Sequence, residues 1–158
     1  LRVIFTDARS LNASWPEPIE TWGATPRYQL TAATASQSAR QIYVGSSNSV
    51  QVNNVLQPAT NYYFTLLACV DDTLCSASEV VSRVTPEDVP MGFDAVTVSE
   101  LQPRSFTVTW DSPLQFNGIL LPYWISIHSY DAEIREYRVD GSLNYLFVND
   151  TTDRKSVV

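Results

Sequence analysis

Basic residues are scarce in this sequence of 158 residues. Lys and Arg total 10 against 17 Asp and Glu, which gives a net charge of −7, and Lys155 is the single lysine. Proteins that bind nucleic acid neutralise phosphates with clustered Lys and Arg. The composition therefore argues against a nucleic-acid partner and indicates an acidic, solvated surface.

Long apolar runs are also absent. No run approaches the roughly 20 residues that span a bilayer, so we expect no direct membrane insertion in this segment. The N-terminus lacks the basic, apolar and small-residue pattern of a secretion signal. Because the chain opens on the strand-like stretch "LRVIFTDARSLNASW", we expect it to be a piece of a longer protein.

The residue types that carry catalysis or hold cofactors are few. Five glycines are spread singly along the chain and His128 is the only histidine, so neither a phosphate-binding loop nor a Ser-His-Asp triad is indicated. A metal site would need more ligands than one histidine and two cysteines supply. The sequence predicts no enzyme, no cofactor and no metal site.

The chain repeats itself. "RSLNASWPEP" at Arg9 matches "RSFTVTWDSP" at Arg104, an offset of 95 residues that continues without a gap to the end of the next alternating run. Each copy carries a Trp and, 13 residues later, a Tyr: Trp15 with Tyr28, and Trp110 with Tyr123. A fixed period of this length indicates two copies of one structural unit.

Period-2 alternation predicts β-strands in both copies. Leu11, Ala13 and Trp15 share one strand face, as do Tyr62 and Phe64 in "NYYFTLLAC", and turn-forming clusters separate the runs. Helical periodicity is absent. We therefore predict an all-β chain of two tandem immunoglobulin-like antiparallel sandwiches, residues 1–88 and 89–158, joined by the short linker "TPEDVP".

The Trp and Tyr positions, with the run Leu56-Gln-Pro58-Ala-Thr-Asn-Tyr62, resemble a fibronectin type III domain. The resemblance covers nearly the whole chain and implies that Tyr62 forms the tyrosine corner between the fifth and sixth strands. The paired cysteines, "SASE" and "TPEDVP" are similar to the usherin-like repeats of large receptor ectodomains.

The second copy departs from this pattern because no second Leu-x-Pro-x-Thr-x-Tyr run follows it. The repeat predicts that its last strands lie beyond Val158 and that the first strand of copy one is partly missing. Truncation of a longer chain is one explanation. Strand donation by a partner, which would complete the sheet in trans, is the other.

Two cysteines, Cys69 and Cys75, flank an acidic five-residue segment at the end of a predicted hairpin. Alternation from Ala68 predicts that Cys69 faces outward. A structural disulfide in an oxidising compartment is favoured, with two free thiols as the alternative.

Two sequons, Asn12-Ala-Ser14 and Asn149-Asp-Thr151, are candidate glycosylation sites. Asn12 is expected on the outer face of its strand, and Asn149 in a polar turn. A glycan at Asn12 would exclude that face as a protein interface.

Four residues are candidate partner contacts. Asp71 and Asp72 lie on the tip between the cysteines, Trp22 lies in a Pro/Gly-rich loop, and Trp124 alternates outward. Exposed Trp is enriched at binding hot spots, whereas packing against a neighbouring loop and simple solvation are the structural alternatives.

Together these features predict an extracellular adhesion and spacer module of a large secreted or membrane-anchored protein. Its partners would be other extracellular proteins or neighbouring modules of the same chain. The alternatives are a ligand-binding receptor module that uses the interdomain joint, and a self-assembling subunit completed by strand donation.

Overall fold

The computed structural model describes residues 1–21, 23–70, 74–128 and 134–149. The chain divides into two compact units, Leu1–Asp88 and Val89–Val158, called unit 1 and unit 2 below. All regular elements in the described ranges are β-strands and all pairings are antiparallel, which confirms the all-β prediction. Within those ranges no helix has the length and apolarity to cross a membrane.

The described residues of unit 1 form eight strands. They are β1 (Arg2–Phe5), β2 (Leu11–Ser14), β3 (Arg27–Ala33), β4 (Arg40–Gly45), β5 (Ser49–Val52), β6 (Asn61–Cys69), β7 (Cys75–Ala77) and β8 (Val81–Val84). One sheet has the order β1-β2-β5, and the other has the order β4-β3-β6-β7, with β8 also paired to β6. Strands β7 and β8 therefore extend along the same edge of the long strand β6.

The core of unit 1 lies between these two sheets because each strand turns its apolar alternate residues inward. Buried side chains come from both sheets, and the largest fully buried ones are Tyr28, Phe64, Leu11 and Leu30. Burying a side chain of this size contributes roughly 1.5–3 kcal/mol. The residues that alternate along the predicted strands are thus the ones buried between the two sheets.

Unit 2 contains the described strands β9 (Thr97–Gln102), β10 (Ser105–Thr109), β11 (Tyr123–His128), β12 (Ile134–Val139) and β13 (Tyr145–Asn149). They form a sheet of order β13-β10-β9 and a pair β11-β12. Their buried cluster is small, comprising Val108, Trp110, Val139 and Val148.

The sequence repeat corresponds to the same Trp–Tyr ring contact in both units. The rings of Trp15 and Tyr28 meet edge-on with centroids 5.3 Å apart, and those of Trp110 and Tyr123 do the same at 5.3 Å. Edge-to-face aromatic pairs add about 0.5–1.5 kcal/mol beyond their buried area. Each Trp directly follows the second strand of its unit, and each Tyr is in the third strand, which belongs to the opposite sheet.

Candidate protein-interaction surfaces

The turn between β5 and β6 is held by Tyr62. Its ring is buried, and its Oη accepts a hydrogen bond from the backbone N–H of Gln57 at 3.0 Å. Leu56 and Pro58 are buried on either side of that N–H. The buried ring and its hydrogen bond fix the entry of β6 into the sheet.

Replacing Tyr62 by Phe is expected to lower the free energy of unfolding of unit 1 by about 1 kcal/mol, because the Gln57 N–H loses its acceptor. Tyr63→Phe is the matched control. The Tyr63 hydroxyl accepts from the exposed Asn61 side chain at 3.3 Å, where water can replace it, so its removal is expected to change stability by less than about 0.5 kcal/mol. Urea denaturation measures the free energy of unfolding of both variants. Equal losses of stability would contradict the role given to the Tyr62 corner.

A buried hydroxyl secures the end of β8 to the same turn. Thr85 Oγ1 accepts from the Thr60 N–H at 2.9 Å and donates to the Gln57 carbonyl at 2.6 Å. Beyond it, the Arg9 guanidinium contacts the Asp88 carboxylate at 3.1 Å. The last residues of unit 1 are therefore tied to the body of that unit.

The hairpin between β6 and β7 is closed by a disulfide. Cys69 and Cys75 face each other across the strand pair, their Cα atoms lie 4.0 Å apart, and their sulfurs are bonded. Cys69 pairs with the exposed Arg27 in the register of β3 and β6, so it lies on the outward face that alternation predicts, yet its residue is only 4% exposed. Burial alternates as far as Leu66 and then breaks, and the bonded Cys75 and the β2–β3 loop lie beside Cys69.

A cleft of about 370 Å³ lies where this hairpin meets the β2–β3 loop. Its walls include Pro18, Glu20, Pro26, Val70, Leu74 and Ser76. Three apolar side chains of this region are exposed: Ile19 is fully exposed, Leu74 is 64% exposed and Val70 is 38% exposed. We call this region, formed by residues 18–21 and 26 with 70 and 74–76, the hairpin-end surface.

Three of the candidate contact residues, Trp22, Asp71 and Asp72, lie outside the described residues. Their chain neighbours Thr21 and Val70 both line the cleft. Two loops that are about 50 residues apart in sequence therefore approach each other at one end of unit 1. Sequence reasoning identified candidates on both loops but gave no signal that the loops meet.

The sequence is similar to usherin and to a cell adhesion molecule. No family model matches the sequence. Usherin of Homo sapiens is 30% identical over 122 residues, covering 74% of this chain and 2% of usherin. The cell adhesion molecule Dscam1 of Drosophila melanogaster is 29% identical over 132 residues, covering 79% of this chain and 6% of Dscam1.

The sandwich topology, the Tyr62 corner and these relatives all indicate the same family. The chain is a tandem fibronectin type III segment. A solved two-domain fibronectin type III segment from chicken tenascin is 19% identical, with a TM-score of 0.47, and the alignment covers 94% of this chain and 80% of that one. This chain spans only a few per cent of the length of usherin or Dscam1.

In the second fibronectin type III unit, Trp124 is exposed on the outer face of β11. It is 69% exposed and lies opposite Arg138 of β12, whose guanidinium carbon is 5.9 Å from the ring centroid. A cation–π contact at an exposed site contributes about 0.5–1 kcal/mol. The pair therefore orders a large aromatic surface without burying it.

Both sequon asparagines are exposed. Asn12 lies in the middle of the β1-β2-β5 sheet, between Ile4 and Gln51 on its outer face. Asn149 is the last residue of β13 and pairs with Ser105, so its prediction as a turn residue was wrong, because β10 extends far enough to pair with it. Asp150 and Thr151 of that sequon lie outside the described residues.

Two carboxylates with shifted pKa values, those of Asp7 and Asp140, accept hydrogen bonds within turns. The Arg9 backbone N–H donates to Asp7 at 2.7 Å, and this bond, with those from Ser10, lowers the Asp7 pKa. Hydrogen bonds from the Ser142 hydroxyl and N–H lower the Asp140 pKa in the same way. A lowered pKa keeps both groups ionised at neutral pH, which does not suit a general acid.

Metal-binding side chains do not cluster in the part of the chain that the structure describes, where no group of three or more His, Cys, Asp or Glu could hold an ion. His128 is exposed at the end of β11.

Proposed function

We propose that this fibronectin type III segment is an extracellular adhesion and spacer module of a large secreted or membrane-anchored protein. It acts without catalysis, by holding its contact surfaces at set positions and binding other extracellular proteins or neighbouring modules of its own chain. The observation that carries the proposal is the disulfide-closed hairpin beside the cleft at the end of unit 1.

A disulfide favours an oxidising compartment, because cytosolic thiols are kept reduced. It also fixes the hairpin before a partner arrives, which lowers the conformational entropy lost on binding. Relatives that include a protein named as a cell adhesion molecule support the same setting.

The hairpin-end surface supplies the contact area in this proposal. Exposed Ile19 and Leu74 provide apolar contacts, and Glu20 provides negative charge, to which Asp71 and Asp72, next to Val70 in the sequence, would add. This combination suits a protein partner with an apolar patch that is bordered by basic residues. Trp22, which follows Thr21 in the sequence, is the aromatic anchor proposed for this contact, and Trp124 of unit 2 is proposed as a separate contact residue.

Attachment of cells to a surface coated with the chain tests this proposal. Ile19→Asp and Leu74→Asp are expected to reduce attachment by about tenfold if each removes a hot-spot contact. Leu101→Asp is the matched control, because Leu101 is 72% exposed on β9 of unit 2 and is not part of the hairpin-end surface. Far-ultraviolet circular dichroism confirms that each variant folds.

Attachment that all three variants reduce equally, or that none of them changes, would contradict the assignment of this surface. No attachment above an uncoated surface would contradict an adhesive function for the segment itself.

A further inference from the structure

The outer face of the β1-β2-β5 sheet carries a sequon at its centre. Asn12 pairs with Ile4 of β1 on one side and with Gln51 of β5 on the other. Ser14, the third residue of the sequon, lies two residues further along β2 and is exposed on the same face. The two side chains that define a sequon are therefore presented to solvent together.

An open groove of about 440 Å³ surrounds Asn12. Its lining includes the outward-pointing side chains of three strands, Arg2, Ile4, Asn12, Ser14, Ser49 and Gln51. Among these six side chains Arg2 alone carries a charge. The groove therefore suits a neutral occupant that is rich in hydroxyl groups.

Ile4 gives one side of this groove an apolar surface, because it is 48% exposed although it lies within a strand. Cross-strand partners have Cβ atoms about 4.5–5.5 Å apart, so a sugar attached to the Asn12 amide would reach Ile4. On the other side, the Gln51 amide donates along its own strand to the Asn53 side chain at 3.2 Å. The groove is thus apolar toward β1 and polar toward β5.

The internal repeat offers a comparison within the chain. The offset of 95 residues places Thr107 at the position of Asn12 and Ser99 at the position of Ile4. These two residues also pair with each other, across β10 and β9. The unit with the sequon therefore has an exposed isoleucine opposite it, whereas the equivalent pair of unit 2 is polar on both strands.

We propose that Asn12 carries an N-linked glycan whose first N-acetylglucosamine packs against Ile4 in this groove and stabilises unit 1. The apolar ring face of the sugar would cover Ile4, while its hydroxyl groups would face the serines of the groove. The inference rests on the extracellular setting of the proposed function, because such glycans are found on secreted chains. It gives this sheet face a structural role and leaves protein contacts to the hairpin-end surface.

The transfer needs a lipid-diphosphate-linked oligosaccharide as the sugar donor. The bond between Asn12 Nδ2 and C1 of the sugar forms, and the bond between C1 and the diphosphate oxygen breaks. The lipid diphosphate is the leaving group, and one proton of the Asn12 amide is lost to the medium.

Glycopeptide mass spectrometry of the full chain secreted from animal cells tests the modification. Sugar is expected on the peptide that contains Asn12. Ser14→Ala removes the sequon but keeps Asn12, and it is expected to abolish this sugar. Ser49→Ala is the matched control, because Ser49 pairs with Ser14 across β2 and β5 and its replacement leaves the sequon intact.

Hydrogen exchange of the core amides of β3 and β6 tests the packing, because these amides report on unit 1 alone. All samples are first trimmed by an endoglycosidase to the first N-acetylglucosamine. Ser14→Ala is expected to exchange about three- to tenfold faster than the wild-type chain, as uncovering half of an isoleucine predicts. Ser49→Ala is expected to change the rate by about twofold or less.

Ile4→Ser separates the sugar contact from the effect of the serine replacement itself. In an Ile4→Ser background, Ser14→Ala is expected to speed exchange no more than Ser49→Ala does. Ile19→Ser, which replaces an exposed isoleucine outside the groove, is expected to leave the full effect of Ser14→Ala. Nuclear Overhauser contacts between the Ile4 methyl groups and the sugar are expected in the trimmed wild-type chain, where no variant has to fold.

An unmodified Asn12 in a secreted chain that contains the Cys69–Cys75 bond would overturn this proposal and leave the extracellular setting in place. Free thiols with no sugar at either sequon would overturn both. Exchange that Ser14→Ala does not speed beyond Ser49→Ala, an unchanged effect in the Ile4→Ser background, or no contact between Ile4 and the sugar would each overturn the packing role.

Discussion

Leu30→Ala is expected to lower the free energy of unfolding of unit 1 by about 2–5 kcal/mol, the usual cost of emptying a fully buried leucine site. Leu30 is fully buried between the sheets, with Leu66 opposite it on β6. Ile125→Ala, at the repeat-equivalent position, is expected to cost unit 2 distinctly less, because Ile125 is half-buried and lines an open cleft of that unit.

Denaturant unfolding measured separately for each unit tests this comparison. The Trp15 and Trp110 environments report on units 1 and 2, since each indole is buried in its own core. Ile42→Ala, a partly buried position of unit 1, is the control for a half-buried aliphatic side chain and is expected to resemble Ile125→Ala. Equal losses for Leu30→Ala and Ile125→Ala would mean that β11 is covered as fully as β3.

Replacing both cysteines by serine is expected to lower the free energy of unfolding of unit 1 by about 2 kcal/mol, on the loop-closure model for so short a ring. The double variant Cys69→Ser with Cys75→Ser also places a serine hydroxyl where the Cys69 residue is 4% exposed. Burying this hydroxyl costs further free energy, so it adds to the loss of stability.

Wild-type chain unfolded in the presence of a thiol reductant is the control for that variant. Reduction opens the ring without changing side-chain size, so the reduced chain is expected to lose slightly less stability than the double variant. An unchanged midpoint on reduction would contradict a stabilising role for the Cys69–Cys75 bond.

The inward-facing residues of the sandwich were predictable because alternation is a local property of the chain. A strand with one buried face must place apolar residues two apart. Leu11 with Ala13, and Tyr62 with Phe64, follow that rule and are buried. The repeat then extended the argument from unit 1 to Trp110 and Tyr123 of unit 2.

Features set by distant contacts were not predictable in this way. Cys69 is buried on an outward face because the β2–β3 loop lies beside the end of β6. Strands β4 and β12 lie at sheet edges, where exposed positions tolerate polar residues and weaken the sequence pattern. The hairpin-end surface depends on the approach of two loops, and no local pattern records that approach.

The most direct test of the extracellular assignment is the intact mass of the chain secreted from animal cells, before and after reduction and glycosidase treatment. We predict a glycan at Asn12 or Asn149 and a gain of two hydrogen atoms on reduction, as the Cys69–Cys75 bond requires. Free thiols together with two unmodified sequons would contradict an extracellular adhesive module.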